Sequence, residues 1–202
     1  KRVVIVGAGP VGCVAALILA RSDIPVTVLE AEDNLVPELR ASTFHPPTLD
    51  MLDQLGVTSH LISQGLITPK IQYRDLDDGL VAEFDHDLIK DRTSHPYRLQ
   101  CEQFKLTRVI AKMLEEYPHA EIRFQCKFMD ASQNTDTVTV TYETPGGEEI
   151  ITCDYLIGSD GSRSAVRKTQ DIEFEGFTYP EQFVTVSVTD DIDQIVKDMG
   201  HV

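Results

Sequence analysis

Basic residues are scarce in this sequence. Its 202 residues include 18 Lys and Arg against 33 Asp and Glu, a formal net charge of −15, and no dense cluster of Lys or Arg occurs. Because contacts with nucleic-acid phosphates or anionic lipids need local positive charge, this shortage argues against nucleic acid or a membrane surface as the main partner. The 42% apolar content is typical of a soluble globular protein.

Cysteine and long apolar runs are scarce as well. The four cysteines form no CxxC pair, so we predict neither a zinc site nor a disulfide framework, and a reducing, cytoplasmic compartment is favoured. They are Cys13, Cys101, Cys126 and Cys153. The longest apolar run, residues 11–20, is about half of what a membrane-spanning helix needs, so no membrane span is predicted. No metal ligands are predicted either.

A strand, a glycine-rich turn, a helix and a second strand open the chain. Residues 3–6 (VVIV) form a β-branched run typical of a strand buried on both faces of a parallel sheet. A turn, GAGPVG, follows, and then a helix-compatible apolar stretch. A second apolar run at residues 26–29 ends at Glu30. This order predicts a βαβ unit of about thirty residues and an α/β fold of the Rossmann type.

The turn contains the spacing Gly7-x-Gly9-x-x-Gly12. In such a turn Gly7 permits the tight bend, Gly9 lets backbone N–H groups approach a pyrophosphate, and Gly12 lets the helix pack closely. Glu30 follows Gly12 by 18 residues and is predicted to accept hydrogen bonds from an adenosine ribose, which disfavours a 2′-phosphate there. The alternative is that the glycines serve turn geometry alone. The spacing favours a dinucleotide but does not separate FAD from NAD.

Further along the chain, hydrophobic periodicity predicts helices and hairpins. One helix carries Leu49, Leu52 and Leu55 and is closed by Gly56, and a longer one covers residues 102–117. Hairpins are predicted at 71–84, outside the first sheet, and at 136–153, and they are followed by a buried strand at 155–157, a short helix at 162–168 and a strand-like stretch at 183–188.

Four segments of the chain carry a family resemblance. They are GAGPVGCVAALILA followed by Glu30, the run Arg40-Ala-Ser-Thr, the run Arg98-Leu-Gln100, and DYLIGSDGSRSAVR at residues 154–167. Together they resemble the group A flavoprotein monooxygenases, the p-hydroxybenzoate hydroxylase-like aromatic hydroxylases. The most discriminating segment contains Asp160 and Gly161, because ordinary nicotinamide dehydrogenases have no matching second turn after a hairpin insertion.

The resemblance implies a set of cofactor contacts. The ADP half of FAD would lie on the glycine turn and the end of the second strand, at Gly7, Gly9, Pro10, Val11, Gly12 and Glu30. Arg40 would contact the flavin side, Gln100 the ribityl–pyrophosphate region, and the backbone near Phe128 the adenine. Asp160 and Gly161 would serve both FAD and NAD(P)H. Taken alone, Gln100 could equally cap the helix that follows it.

The resemblance also implies an architecture and a reaction. A Rossmann-like FAD-binding domain is expected at 1–69 and 96–172, with parts of a second, mainly antiparallel substrate-side sheet at 70–95 and 173–202. The chain stops before the family's later Gly-Asp segment. NADH or NADPH would reduce FAD, and O2 would be used to hydroxylate a small, phenol-like aromatic substrate. Two alternatives remain: another flavin oxidoreductase of this fold, such as a reductase or a halogenase, and a non-catalytic dinucleotide-binding module.

Overall fold

A computed structural model describes residues 1–35, 41–75 and 77–182, together with residues 184 and 189. Within this part of the chain the α-helices are α1 (Pro10–Arg21), α2 (Pro46–Gln54), α3 (Thr58–Ile62), α4 (Gln103–Leu114) and α5 (Ala165–Thr169). The strands are β1 (Val3–Val6), β2 (Val26–Leu29), β3 (Thr43–Phe44), β4 (Leu66–Thr68), β5 (Lys70–Asp75), β6 (Gly79–Asp85), β7 (Arg98–Gln100), β8 (Ala120–Arg123), β9 (Lys127–Gln133), β10 (Val138–Thr144), β11 (Gly147–Cys153) and β12 (Tyr155–Gly158).

The central sheet is parallel and has the order β12-β1-β2-β8. Successive side chains of a strand point to opposite faces. Val3 and Ile5 accordingly pack in the cluster that includes α1 and α4, whereas Val4 and Val6 pack with residues of the antiparallel sheet β11-β10-β9. Both faces of β1 are therefore covered, which explains its continuous apolar sequence and confirms the prediction of an α/β fold built on a parallel sheet.

One expectation about this sheet is wrong, and one of its strands was not predicted. The strand predicted to be buried at 155–157 is β12, which pairs only with β1 within the described residues, and Tyr155 is 54% exposed. The strand β8 at the other edge was not predicted. Its sequence, AEIR, alternates polar and apolar residues and is short, so it gives too weak a pattern to be separated from a turn.

Two smaller sheets are separate from the central one. The sheet β3-β7-β4 is antiparallel, and the hairpin β5–β6 forms a two-stranded sheet of its own, as predicted. Gln100 lies in β7, and the N-cap of α4 is Glu102, so the alternative that Gln100 caps this helix is wrong. Most of the strand-like stretch at 183–188 falls outside the described residues. None of the described helices has the length and hydropathy of a membrane span.

Candidate functional site

A cleft of about 430 Å³ lies at the carboxyl ends of β1 and β2. Ligands of open α/β sheets bind at this end of the strands, and the volume falls within the range of small-molecule sites. Its walls come from the glycine turn, the segment after β2, the first turn of α4, the start of β9 and the turn after β12. They include Val6, Gly7, Ala8, Gly9, Pro10, Val11, Leu29, Glu30, Ala31, Glu32, Asn34, Leu35, Gln103, Phe104, Thr107, Cys126, Phe128, Ser159, Asp160 and Gly161.

The three glycines of the turn differ in what a side chain at each position would meet. Gly7 has φ +98°, and a Cβ there would lie 2.7 Å from the carbonyl oxygen of Ser159. A Cβ on Gly12 would lie only 2.0 Å from the carbonyl oxygen of Gly7. Around Gly9, by contrast, a Cβ would meet no described atom within 4 Å. Packing thus requires Gly7 and Gly12, whereas Gly9 leaves open space on the cleft side of the turn.

The N-terminus of α1 faces this space. Its N-cap is Gly9, no side chain caps it, Pro10 occupies the first helical position, and the first turn holds no acidic residue. The first N–H groups of a helix lack intrahelical partners and carry a partial positive charge, so they bind anions. The residues present therefore fit the pyrophosphate of a dinucleotide.

Glu30 joins the segment after β2 to the glycine turn. Its Oε2 accepts a hydrogen bond from the Ala8 N–H at 2.7 Å, and its Oε1 accepts one from the Glu32 N–H at 3.1 Å. An ionised carboxylate has about four acceptor positions, so two remain for ribose hydroxyls. The sequence suggested only the ribose contact, because the bond to Ala8 depends on how the two strands lie side by side.

Cys13 lies beneath the same turn. Its thiol donates to the Ala8 carbonyl at 3.2 Å and is fully buried. Burial, with a smaller contribution from the charge of Glu30, raises the pKa of this thiol to about 12. The sulfur is therefore neutral at physiological pH and acts in packing rather than as a nucleophile. All four cysteines are unpaired and buried.

The turn after β12 packs against the glycine turn. The Ser159 hydroxyl lies 2.8 Å from the Val6 carbonyl oxygen and 3.0 Å from that of Gly7. Asp160 and Gly161 line the cleft, but the Asp160 carboxylate accepts hydrogen bonds from the residues that begin α5. The sequence proposed this second turn as a cofactor segment, and the fold brings it beside the first.

Most of the predicted cofactor contacts that the structure describes therefore meet at one cleft, and two of them, Gly12 and Gln100, do not line it. Gly12 is buried in α1 behind the turn. Gln100 lies in β7, where its Oε1 accepts a hydrogen bond from the Thr43 hydroxyl at 2.7 Å. Arg40 lies outside the described residues. Among the residues that the structure describes, no group of three His, Cys, Asp or Glu side chains could hold a metal ion.

Several lining residues were not predicted. They are Val6, Ala8, Leu29, Ala31, Glu32, Asn34, Leu35, Gln103, Phe104, Thr107, Cys126 and Ser159. The residues at the start of α4 could have been predicted as lining residues. A helix was predicted directly after the Arg98-Leu-Gln100 run, and helix N-termini that follow strands often face ligands. Val6, Ala8, Leu29, Ala31 and Ser159 adjoin predicted positions, and the other residues carry no local signal.

Comparisons with known proteins give consistent results. A sequence model of the FAD binding domain matches residues 1–202. Para-nitrophenol 4-monooxygenase from Pseudomonas sp. strain WBC-3 is 35% identical over 186 residues, 92% of this chain and 46% of that protein. A 6-hydroxy-3-succinoylpyridine 3-monooxygenase from Pseudomonas putida is 33% identical over 198 residues, 96% of this chain and 50% of that protein.

A solved structure is similar over most of the described fold. The crystal structure of p-nitrophenol 4-monooxygenase from Pseudomonas putida superposes with a TM-score of 0.85 and 33% sequence identity, and the match covers 88% of this chain and 45% of that one. The chain thus spans about half the length of the relatives that it matches.

Proposed function

This chain belongs to the FAD binding domain family, and from that premise we propose that it is the FAD-binding part of a monooxygenase that hydroxylates a phenol-like aromatic with NADH or NADPH and O2. The sequence resemblance to flavoprotein monooxygenases is confirmed by its relatives. The observation that carries the proposal is the cleft itself, where an uncapped helix N-terminus, an open space over Gly9 and the carboxylate of Glu30 face one another.

The residues of the cleft fit the ADP half of FAD. We assign the pyrophosphate to the backbone N–H groups that follow Gly9, the ribose to Glu30, and the adenine to the wall formed by Phe128. The second turn, at Asp160 and Gly161, would border the pyrophosphate. Arg40 remains a proposed contact of the flavin side, and Gln100 a proposed contact of the ribityl–pyrophosphate region.

Bound FAD would supply the redox chemistry, taking electrons from NAD(P)H and passing them to O2. The protein's part is to hold and orient the cofactor and to exclude water from it. The Cys13 thiol beneath the glycine turn is buried, and burial raises its pKa to about 12, so we do not expect it to act as a nucleophile.

We propose that the substrate side is carried by the residues outside the FAD-binding parts, 70–95 and 173–202, with the FAD domain at 1–69 and 96–172. The hairpin β5–β6 supports this division, because it forms a sheet separate from the central one. Its Tyr73 and Phe84 are 62% and 56% exposed and contact each other edge to face. The four unpaired cysteines support a cytoplasmic location.

The first test is an absorption spectrum of the complete natural protein, with the released cofactor identified by its mass. Flavin bands with the mass of FAD, followed by phenol-stimulated NAD(P)H oxidation and a hydroxylated product, are the expected result. Alkene reduction or halogenation would instead identify another flavin oxidoreductase. Retained cofactor without turnover would indicate a binding module, and a protein that cannot be reconstituted with FAD would refute the proposal.

A further inference from the structure

The side chain of Arg98 contains a buried nitrogen without a partner. Arg98 is the first residue of β7, and its Nε is buried with no hydrogen-bond acceptor among the described residues. We propose that this guanidinium binds the phenolate oxygen of the aromatic substrate. The inference rests on the proposed function, because it takes this chain to be part of an enzyme that acts on phenol-like aromatics.

The guanidinium of Arg98 has few acceptors around it. An arginine side chain carries five N–H donors and keeps its positive charge at every physiological pH. Within the described residues its hydrogen bonding is limited to one contact, from Nη2 to the Lys70 carbonyl oxygen at 3.5 Å, which is longer than is usual for an N–H···O bond. It forms no ion pair with a described carboxylate. A buried donor left unpaired costs free energy, so an acceptor that a ligand supplies stabilises it.

Strand β7 holds Arg98 on the face away from the main hydrophobic core. Leu99 is fully buried in that core, and successive side chains of a strand point to opposite faces, so Arg98 and Gln100 share the other face. Thr68 pairs with Arg98 on β4, and its hydroxyl donates to the Arg98 carbonyl at 2.9 Å. The sheet therefore fixes the backbone of Arg98 without using the donors of its side chain.

Arg98 lies between the cofactor cleft and the proposed substrate side. β7 leads into α4, whose Gln103 lines the cleft, so Arg98 lies farther from the cleft along the strand than Gln100, by two residues or about 7 Å. In the other direction the guanidinium contacts the carbonyl of Lys70, the first residue of the hairpin β5–β6. Since Gln100 is the proposed contact of the ribityl–pyrophosphate region, Arg98 is on the flavin side of that contact, where the substrate must approach.

The acidic character of the chain makes a local cation important for an anionic ligand. With a net charge of −15 the chain as a whole repels anions, so an anionic substrate needs a specific positive group where it binds. A guanidinium supplies fixed N–H donors, and its hydrogen bonds to an ionised oxygen are about twice as strong as those between neutral groups. Arg98 should therefore favour the phenolate form of a bound phenol over the neutral form.

The test uses the complete natural protein with FAD bound and 4-nitrophenol as the probe, because the phenol and phenolate forms of this compound differ in colour. Dissociation constants are measured by absorbance titration of the oxidised protein, without NAD(P)H, at one pH below and one pH above the pKa of the free probe. The variants are Arg98→Met, which keeps an unbranched apolar stem, and Arg98→Gln, which keeps a donor for the Lys70 carbonyl without the charge. The matched control is Arg92→Met, which replaces an exposed arginine in the loop before β7.

The ratio of the two dissociation constants separates recognition of the anion from support of the fold. For Arg98→Met we expect the phenolate to bind at least about tenfold more weakly, the scale of one lost charge-assisted hydrogen bond, while the neutral phenol and FAD bind within about threefold of wild type. Arg98→Gln should lose most of the preference for the phenolate, and Arg92→Met should keep it. A side chain that only supported the Lys70 carbonyl would affect both forms of the probe equally.

Two results would overturn the inference and leave the proposed function standing. One is an Arg98→Met protein with the wild-type ratio of the two constants, and the other is a wild type that holds FAD but shows no preference for the phenolate. If Arg98→Met fails to fold, the ratio in Arg98→Gln decides in the same way. A wild type that cannot be reconstituted with FAD instead refutes the proposed function, and the inference falls with it.

Discussion

Two separate substitutions, Gly9→Ala and Gly12→Ala, should have different effects. The first should weaken FAD binding, and the second should lower folding stability. The two glycines are three residues apart in one turn, yet their surroundings differ. A Cβ on Gly12 would lie 2.0 Å from the Gly7 carbonyl oxygen, about 1.5 Å short of an ordinary contact of about 3.5 Å, and 2.6 Å from the Ser159 hydroxyl. A Cβ on Gly9 would meet no described atom within 4 Å.

The expected magnitudes follow from this difference. For Gly12→Ala, overpacking against backbone costs about 3 kcal/mol, the upper end of its usual range, and helix propensity returns about 1 kcal/mol. The net loss of about 2 kcal/mol should lower the Tm of the apo protein by about 4–8 °C. For Gly9→Ala the backbone angles, φ −68° and ψ 179°, suit alanine. Its stability should therefore stay within about 1 kcal/mol of wild type, while FAD affinity falls at least about 100-fold.

The assay is paired thermal unfolding of the apo proteins and FAD titration of each. A Gly9→Ala protein that binds FAD like wild type would refute the placement of the pyrophosphate. A Gly12→Ala protein with an unchanged Tm would refute the packing argument.

Three further predictions concern charged and titratable side chains. Glu30→Ala should weaken FAD binding by about 1–3 kcal/mol, because ribose acceptors are lost and a turn N–H loses its partner; an unchanged affinity in a fluorescence titration would contradict the assignment. The Cys13 thiol, whose pKa burial raises to about 12, should resist alkylation at pH 8 in the folded protein and react once urea unfolds it. Hydrogen bonds from Thr93 and His95 lower the pKa of Asp50 in the folded protein. The stability that this carboxylate contributes is therefore complete above a pH of about 4 and is lost as the pH falls through the lower folded pKa. Asp50→Asn should make the free energy of unfolding, measured by circular dichroism, depend less on pH in that range.

The local part of the site could be predicted from the sequence. Residues 3–6 and 26–29 became β1 and β2 with the predicted bounds, because a buried parallel strand leaves a continuous β-branched run. The glycine turn and the position of Glu30 could also be predicted from the sequence, because they depend only on a turn of six residues and on the next strand. These features lie within the first thirty residues of the chain.

Tertiary structure alone decided the rest of the cleft. The second turn lies about 150 residues beyond the first, and only the pairing of β12 with β1 brings Ser159 to the Gly7 carbonyl. The sequence pointed to Asp160, but the direction of its carboxylate follows from where α5 begins. Local patterns record which face of an element is buried, and they do not record which distant segment covers it. That is why the sequence pointed to both turns as cofactor segments but not to the contact between Ser159 and the glycine turn.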